Sequence, residues 1–234
     1  MTSRGLGAPP MRVPHDSGLR RTPARCKQVL REEGVRSLFL RILQEIGALR
    51  RLVLIEVPLE DPPPSSNSSS LLEARSLQET DLDAYVAFRP DVDVSEIRGR
   101  LAAGHRCFAA WYAGRLVSAV WVARQRAWID YLAHEIGLAP DEAYAYDSFT
   151  VPDMRGMEIA SARSGAMRRG LREAGVRRLL GAILPENQWA KRRARKRGHR
   201  RIGVIGYWKV GPWRRDFIRL KARTGPLAPQ QPST

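Results

Sequence analysis

Between Tyr146 and Ala160 the chain gathers residue types that can move a proton and hold a phosphate. Tyr146 and Asp147 are titratable groups within an apolar-rich run, Ala143 to Val151. A carboxylate so placed can act as a general base, directly or through water, if its surroundings tune its proton affinity. Glu135, in the turn Ala133–Gly137, is a second carboxylate of that kind; a solvated surface role is the competing reading of both. Nine residues past Tyr146, Arg155 and Gly156 open a segment that leads into a helical pattern. A helix start presents backbone N–H groups without intrahelical acceptors, and these attract phosphate. Arg155 or Arg163 can add charge there. Cys26 and Cys107 are too few and too scattered for a disulfide framework or a zinc site, and the four histidines form no nucleophilic arrangement with them. No metal is expected.

The elements that position these groups follow from periodicity. Tyr144, Tyr146, Phe149, Thr150 and Val151 suit a pleated strand, which Pro152 and Asp153 then stop. After Gly156 the spacing becomes helical. Ala160, Met167, Leu171 and Ala174 form an apolar stripe, with Arg163, Arg168, Arg169 and Arg172 expected elsewhere on the helix, and Gly175 at its C-terminal stop. Leu179 to Leu184 is an all-apolar run ended by Pro185. Strand, loop, helix and buried strand form a βαβ unit, whose strands must be parallel.

Val151-Pro152-x-x-Arg155-Gly156-x-x-Ile159-Ala160 resembles the acyl-CoA loop, Q/R-x-x-G-x-G/A, of the GNAT acetyltransferase superfamily. Arg155 matches its first position and Ala160 its last; Glu158 stands where the middle glycine would be. Asn187-x-x-Ala190 followed by Lys196-x-Gly198-His199 is similar to the family's N-x-x-A…K-x-G-F segment. The resemblance covers roughly Leu72 to Val210. It implies a mixed sheet with a cleft between two splayed parallel strands, and acetyl-CoA as co-substrate with an amine as acceptor. It further implies donor contacts from Phe149, Thr150, Val151, Arg155, Gly156, Met157, Glu158, Ile159, Ala160 and Asn187. Asp147, Glu135 and Tyr146 are then the candidates for proton transfer. The family's tyrosine acid falls at Ala194 here, which leaves Tyr146 or Tyr207 to serve or the thiolate to leave unassisted. A catalytically degenerate GNAT-like binding module is the alternative.

The 234 residues, 43% of them hydrophobic, suffice for one ordinary domain with tails. No apolar run is long enough to span a membrane and no secretory h-region opens the chain, so the expected location is cytoplasmic. The net charge of +16 invites nucleic acid as a partner, with the run Lys191–Arg201 and Trp189 as its contact, but a polyanionic co-substrate answers to the same charge. Residues 1–22 read as a disordered tail, and 23–60 as an N-terminal helical extension ending in a short strand. The basic amphipathic helix of that extension could pack on its own domain or lie on an anionic membrane surface. Residues 61–70 are a Pro/Ser linker, 71–213 the acyltransferase-like domain, and 214–234 a C-terminal tail. Within the domain, Leu72–Leu77 reads as a strand, with helices around Tyr85 and over 94–103. Arg106–Tyr112 and Arg115–Ala123 form a hairpin, Arg126–Leu132 is a further strand, and a basic helix over 189–197 and a strand over 201–210 close the list. The fold class expected is α/β: a central mixed β-sheet flanked by helices, with the N-terminal extension.

Overall fold

The computed structural model describes residues 48–60, 70–155 and 158–220. Ten strands and four α-helices run β1 (Leu49–Val57), β2 (Leu72–Ser76), α1 (Leu82–Phe88), α2 (Val94–Ala102), β3 (Arg106–Tyr112), β4 (Arg115–Ala123), β5 (Arg126–Ile129), β6 (His134–Gly137) and β7 (Glu142–Thr150). They continue as α3 (Ile159–Glu173), β8 (Arg178–Ile183), α4 (Gln188–Lys196), β9 (Arg200–Val210) and β10 (Trp213–Leu220). Eight of the strands form one sheet in the order β10-β9-β1-β8-β7-β4-β3-β2, while β5 and β6 form a separate pair. Every neighbouring pair is antiparallel except β7 and β8. The fold is therefore α/β with a mixed sheet flanked by helices, as expected.

Period-2 alternation sorts the apolar side chains onto two faces. On one, Met167 and Leu171 of α3 pack with Phe108, Val120, Ala143 and Leu179, and Ala194 of α4 packs with Val53 and Ile55. On the other, Tyr85 and Ile97 of α1 and α2 meet Cys107, Ala109 and Trp121. The β5–β6 hairpin covers Leu52, Leu54, Tyr144 and Leu180 on that same side. Leu179 and Leu180, adjacent in β8, thus belong to different cores. Trp121 is fully buried, and its indole N–H donates to the Tyr85 hydroxyl at 2.7 Å, so this large side chain leaves no orphan donor.

Three expectations change. The strand at the end of the N-terminal extension is β1, and it lies inside the sheet between β8 and β9. The described end of that extension is thus integral to the main fold; its helices, and the linker but for Ser70, lie outside the described residues. The supposed tail after 213 begins with β10, paired along its length with β9. The strand read over Arg126–Leu132 ends at Ile129, and the chain returns as β6.

Candidate active site

The parallel pairing of β7 and β8 is short. Glu142, Ala143 and Tyr144 face Arg178, Leu179 and Leu180, after which the strands part. β7 continues to Thr150 with only β4 beside it, and β8 continues to Ile183 with only β1. The closed end of this V is clamped by charge. Glu142, 1% exposed, pairs with the Arg178 guanidinium and accepts from the Ala139 N–H at 3.1 Å. The open end leaves the inner edge of β7, from Ala145 to Thr150, with backbone groups that β8 does not engage.

A β-bulge shapes that edge. Ala119 faces Phe149 but Trp121 faces Tyr146, so Asp147 and Ser148 together oppose Val120. Asp147 adopts φ +45°, a conformation that Asp and Asn tolerate better than most residues. Arg163, in the first turns of α3, holds the bulge from one face. Its Nη1 donates to the Ala119 and Phe149 carbonyls at 2.8 and 3.2 Å and to Ser118 Oγ at 2.8 Å, and its Nη2 donates to Ser148 Oγ at 3.0 Å. Burial and the nearby Arg197 and Arg193 charges pull this guanidinium down to a pKa of about 10. Arg163 was expected outside the apolar stripe of its helix, and Arg168 with it; both are buried. Arg163 is spent on strand carbonyls rather than offered to phosphate.

From the opposite face, Asp147 is held by two guanidinium groups: Oδ1 accepts from Arg89 at 3.0 Å and Oδ2 from Arg100 at 2.7 Å. Both oxygens of this expected base are engaged, which is the geometry of an anchor. Beside it, the Tyr146 hydroxyl lies 2.5 Å from His105 Nδ1. Burial raises the Tyr146 pKa above its ordinary value. Burial, with Arg100 adding to it, lowers that of His105 below its ordinary 6.5. His105 is thus kept neutral near pH 7, able to take a proton. His105, Arg89 and Arg100 escape sequence reasoning, because their meeting with β7 is made by tertiary packing alone.

The remaining candidates separate. Phe149 meets Phe88 edge-on at 5.4 Å, and Thr150 Oγ1 lies 2.7 Å from Ser118 Oγ. The Val151 N–H donates to the Val117 carbonyl at 3.0 Å. Arg155 is exposed, its Nε donating to the Thr150 carbonyl at 3.4 Å. Glu158 is exposed and its carbonyl accepts the first helical bonds, from Ser161 and Ala162. Ile159 is 1% exposed and seats the start of α3 on Ala110 and Val117, and Ala160 follows at partial exposure. Gly156 and Met157 lie outside the described residues. Asn187 caps α4, its side-chain oxygen accepting from the Ala190 N–H at 2.8 Å.

Glu135 is not brought to this cluster. It sits on β6 and faces Arg126 across the hairpin at 3.4 Å. Tyr207 packs on the β5–β6 side under Arg214, on the face opposite α4. Ala194 lies against Val53 and Ile55 as core. Cys107 is fully buried and burial raises its thiol pKa, in keeping with a core role. No group of three or more His, Cys, Asp or Glu side chains among the described residues could hold a metal ion. No helix among them is long and apolar enough to cross a membrane.

No protein-family model matches the chain, and no curated protein matches it. Solved structures do. One is described as a putative acetyltransferase from the GNAT family from Novosphingobium aromaticivorans, with a TM-score of 0.45 and 18% identity over 68% of this chain and 62% of that one. The chain thus spans less than two thirds of that protein's length. Another is the aminoglycoside N-acetyltransferase AAC(6')-Iy in complex with CoA, with a TM-score of 0.43 and 16% identity over 54% of this chain and 90% of that one. A third, an aminoglycoside acetyltransferase from an uncultured soil metagenomic sample, has a TM-score of 0.43 and 15% identity over 55% and 88%. GNAT-family acetyltransferases are therefore among the structures this chain is similar to.

Proposed function

We propose that the chain is an N-acyltransferase that moves an acetyl group from acetyl-CoA to an amine. The observation that carries this is the parting of β7 and β8 beyond Tyr144, directly before the start of α3. The open β7 edge offers backbone groups to an extended amide-bearing arm. The α3 N-terminus and the exposed Arg155 offer positive potential to a diphosphate at the mouth. Arg193 of α4 and Arg197 just past its end add positive charge that depresses the Arg163 pKa. Asn187 spends its side-chain oxygen on the α4 cap, which leaves its carboxamide N–H groups for the arm. The residues present therefore fit the donor that the motif implies.

Acetyl-CoA supplies an activated thioester, so no covalent enzyme intermediate is needed. The acceptor nitrogen bonds to the thioester carbonyl carbon, the carbon–sulfur bond breaks, and CoA leaves as its thiolate. The proton lost by the amine passes to the Tyr146–His105 pair, where the neutral imidazole receives it. Asp147 is a positioning residue: tied to Arg89 and Arg100, it fixes the bulge that aims Tyr146. With Ala194 packed as core, the thiolate takes its proton from water or from Tyr146.

The test is calorimetric titration with acetyl-CoA, followed by a thiol-release assay over a panel of amines, aminosugars and peptides. Saturable binding with amine-dependent thiol release supports the proposal. Binding without release on any acceptor supports the degenerate binding module instead, and absence of binding at millimolar acetyl-CoA refutes both.

A further inference from the structure

The two flanks of α4 differ. Arg193, and Arg197 just past the helix end, do not line the cavity over β1 and β9, and their charges depress the Arg163 pKa. Lys191, Arg192 and Arg195 belong to the other flank, where they line this cavity of about 510 Å³. Arg51 and Arg201 reach the same space from the sheet, and Glu186 is the one carboxylate beside these five cations. None of the five forms an ion pair among the described residues. His199 lines the cavity too. Its ring nitrogens and Arg51 Nε are closed off from solvent, so they do not face the open space. The floor is different: Val53, Ile55 and Val204 present an apolar surface.

A protein does not gain stability by gathering five like charges around a hollow. Such a site is completed by an anion. Five cations against one carboxylate call for several negative charges, and the floor calls for a flat or apolar body. The stretches 1–47 and 221–234 carry more Arg and Lys than Asp and Glu, so neither complements the site in charge. We infer that this cavity binds a small ligand bearing two or more phosphates on an apolar-faced body, the chemistry of a nucleoside di- or triphosphate, at a site separate from the donor cleft.

The full chain is titrated with ATP, with AMP and inorganic phosphate as controls, alone and with saturating acetyl-CoA. Expected are one ATP site, at least about tenfold weaker binding of AMP, and no displacement by acetyl-CoA. Arg192→Ala/Arg195→Ala removes two exposed side chains and should weaken ATP at least about tenfold, with the melting temperature of the unliganded protein preserved. Arg193→Ala/Arg197→Ala, on the other flank, should leave ATP binding within about twofold. Four results overturn the inference: no ATP binding at 1 mM (roughly the weakest affinity worth a site), full affinity in Arg192→Ala/Arg195→Ala, displacement of ATP by acetyl-CoA, or an oligonucleotide that outcompetes ATP through the same arginines. Because the readout is ATP binding, failure of acetyl transfer leaves it unaffected, and the reverse also holds.

Discussion

Asp147→Asn separates an anchor from a base. Asparagine tolerates the φ of +45° at this position as aspartate does, so the backbone is kept and only the charge is lost. The Asp147 side chain is 9% exposed, and those of Arg100 and Arg89 are 6% and 11% exposed. Breaking a buried ion pair by removing one partner costs about 3–5 kcal/mol. Here each guanidinium keeps a second carboxylate, Glu96 at 2.6 Å from Arg100 and Asp91 at 2.9 Å from Arg89, and the amide oxygen can still accept one bond. The loss should therefore sit at the low end, about 3 kcal/mol, or a melting temperature lower by about 6–12 °C for a chain of this size. Thermal and urea unfolding followed by tryptophan fluorescence, run beside the transfer assay, measure both consequences. Activity should fall mainly with the folded fraction and keep its pH profile. A variant that melts within about 2 °C of the parent, yet has lost transfer and the acid limb of its pH profile, would refute the anchor and restore Asp147 as the base.

His105→Gln keeps a partner for the Tyr146 hydroxyl but cannot take the proton. kcat/KM for the amine should drop about 10²–10⁴-fold, the acid-side fall in rate set by the lowered His105 pKa should vanish, and KM for acetyl-CoA should stay unchanged; an unaltered pH profile counts against the pair. Stability should also respond to pH. Burial lowers the pKa of both His105 and His199 below 6.5, so the unfolded chain binds protons that the folded chain does not. Stability is then full above about pH 6.5 and declines on acidification below it, and His105→Gln should reduce that decline in unfolding titrations; a flat pH 5–7 profile contradicts the assignment. At Gly206 an added Cβ would lie 2.2 Å from the Arg50 carbonyl oxygen, so Gly206→Ala should cost at least about 1–3 kcal/mol by prying β1 from β9. Gly99 of α2 has nothing within 4 Å, and Gly99→Ala should add about 0.5–1 kcal/mol; equal effects at the two glycines would contradict the register of β1 and β9.

What the sequence reveals is what local pattern encodes. The change from period 2 to helical spacing at Gly156 marks β7, α3 and β8, and the Ala113-Gly114 turn, with φ of 49° and 77°, closes the β3–β4 hairpin where the residue types place it. Pairing between distant strands has no such local mark. Leu52–Val57 is legible as a strand, yet nothing in it tells that β8 and β9 will take both its edges. β10 escapes because an edge strand with Arg214, Arg215, Asp216 and Arg219 reads as a polar tail. The helical wheel sets Arg163 outside, and the structure buries it because the bulge exposes carbonyls that need donors. In the site, Tyr146 and Asp147 are legible as titratable groups, but their roles come from His105, Arg89 and Arg100, up to 58 residues away in sequence.

The central claim is that the parted strands β7 and β8 receive a CoA thioester. A crystal structure of the full chain with a non-hydrolysable acetyl-CoA analogue tests it most directly. The account predicts the arm lying along Ala145–Thr150 with its diphosphate at Arg155 and the start of α3. A ligand bound elsewhere, with that gap closed or filled by side chains, would contradict it.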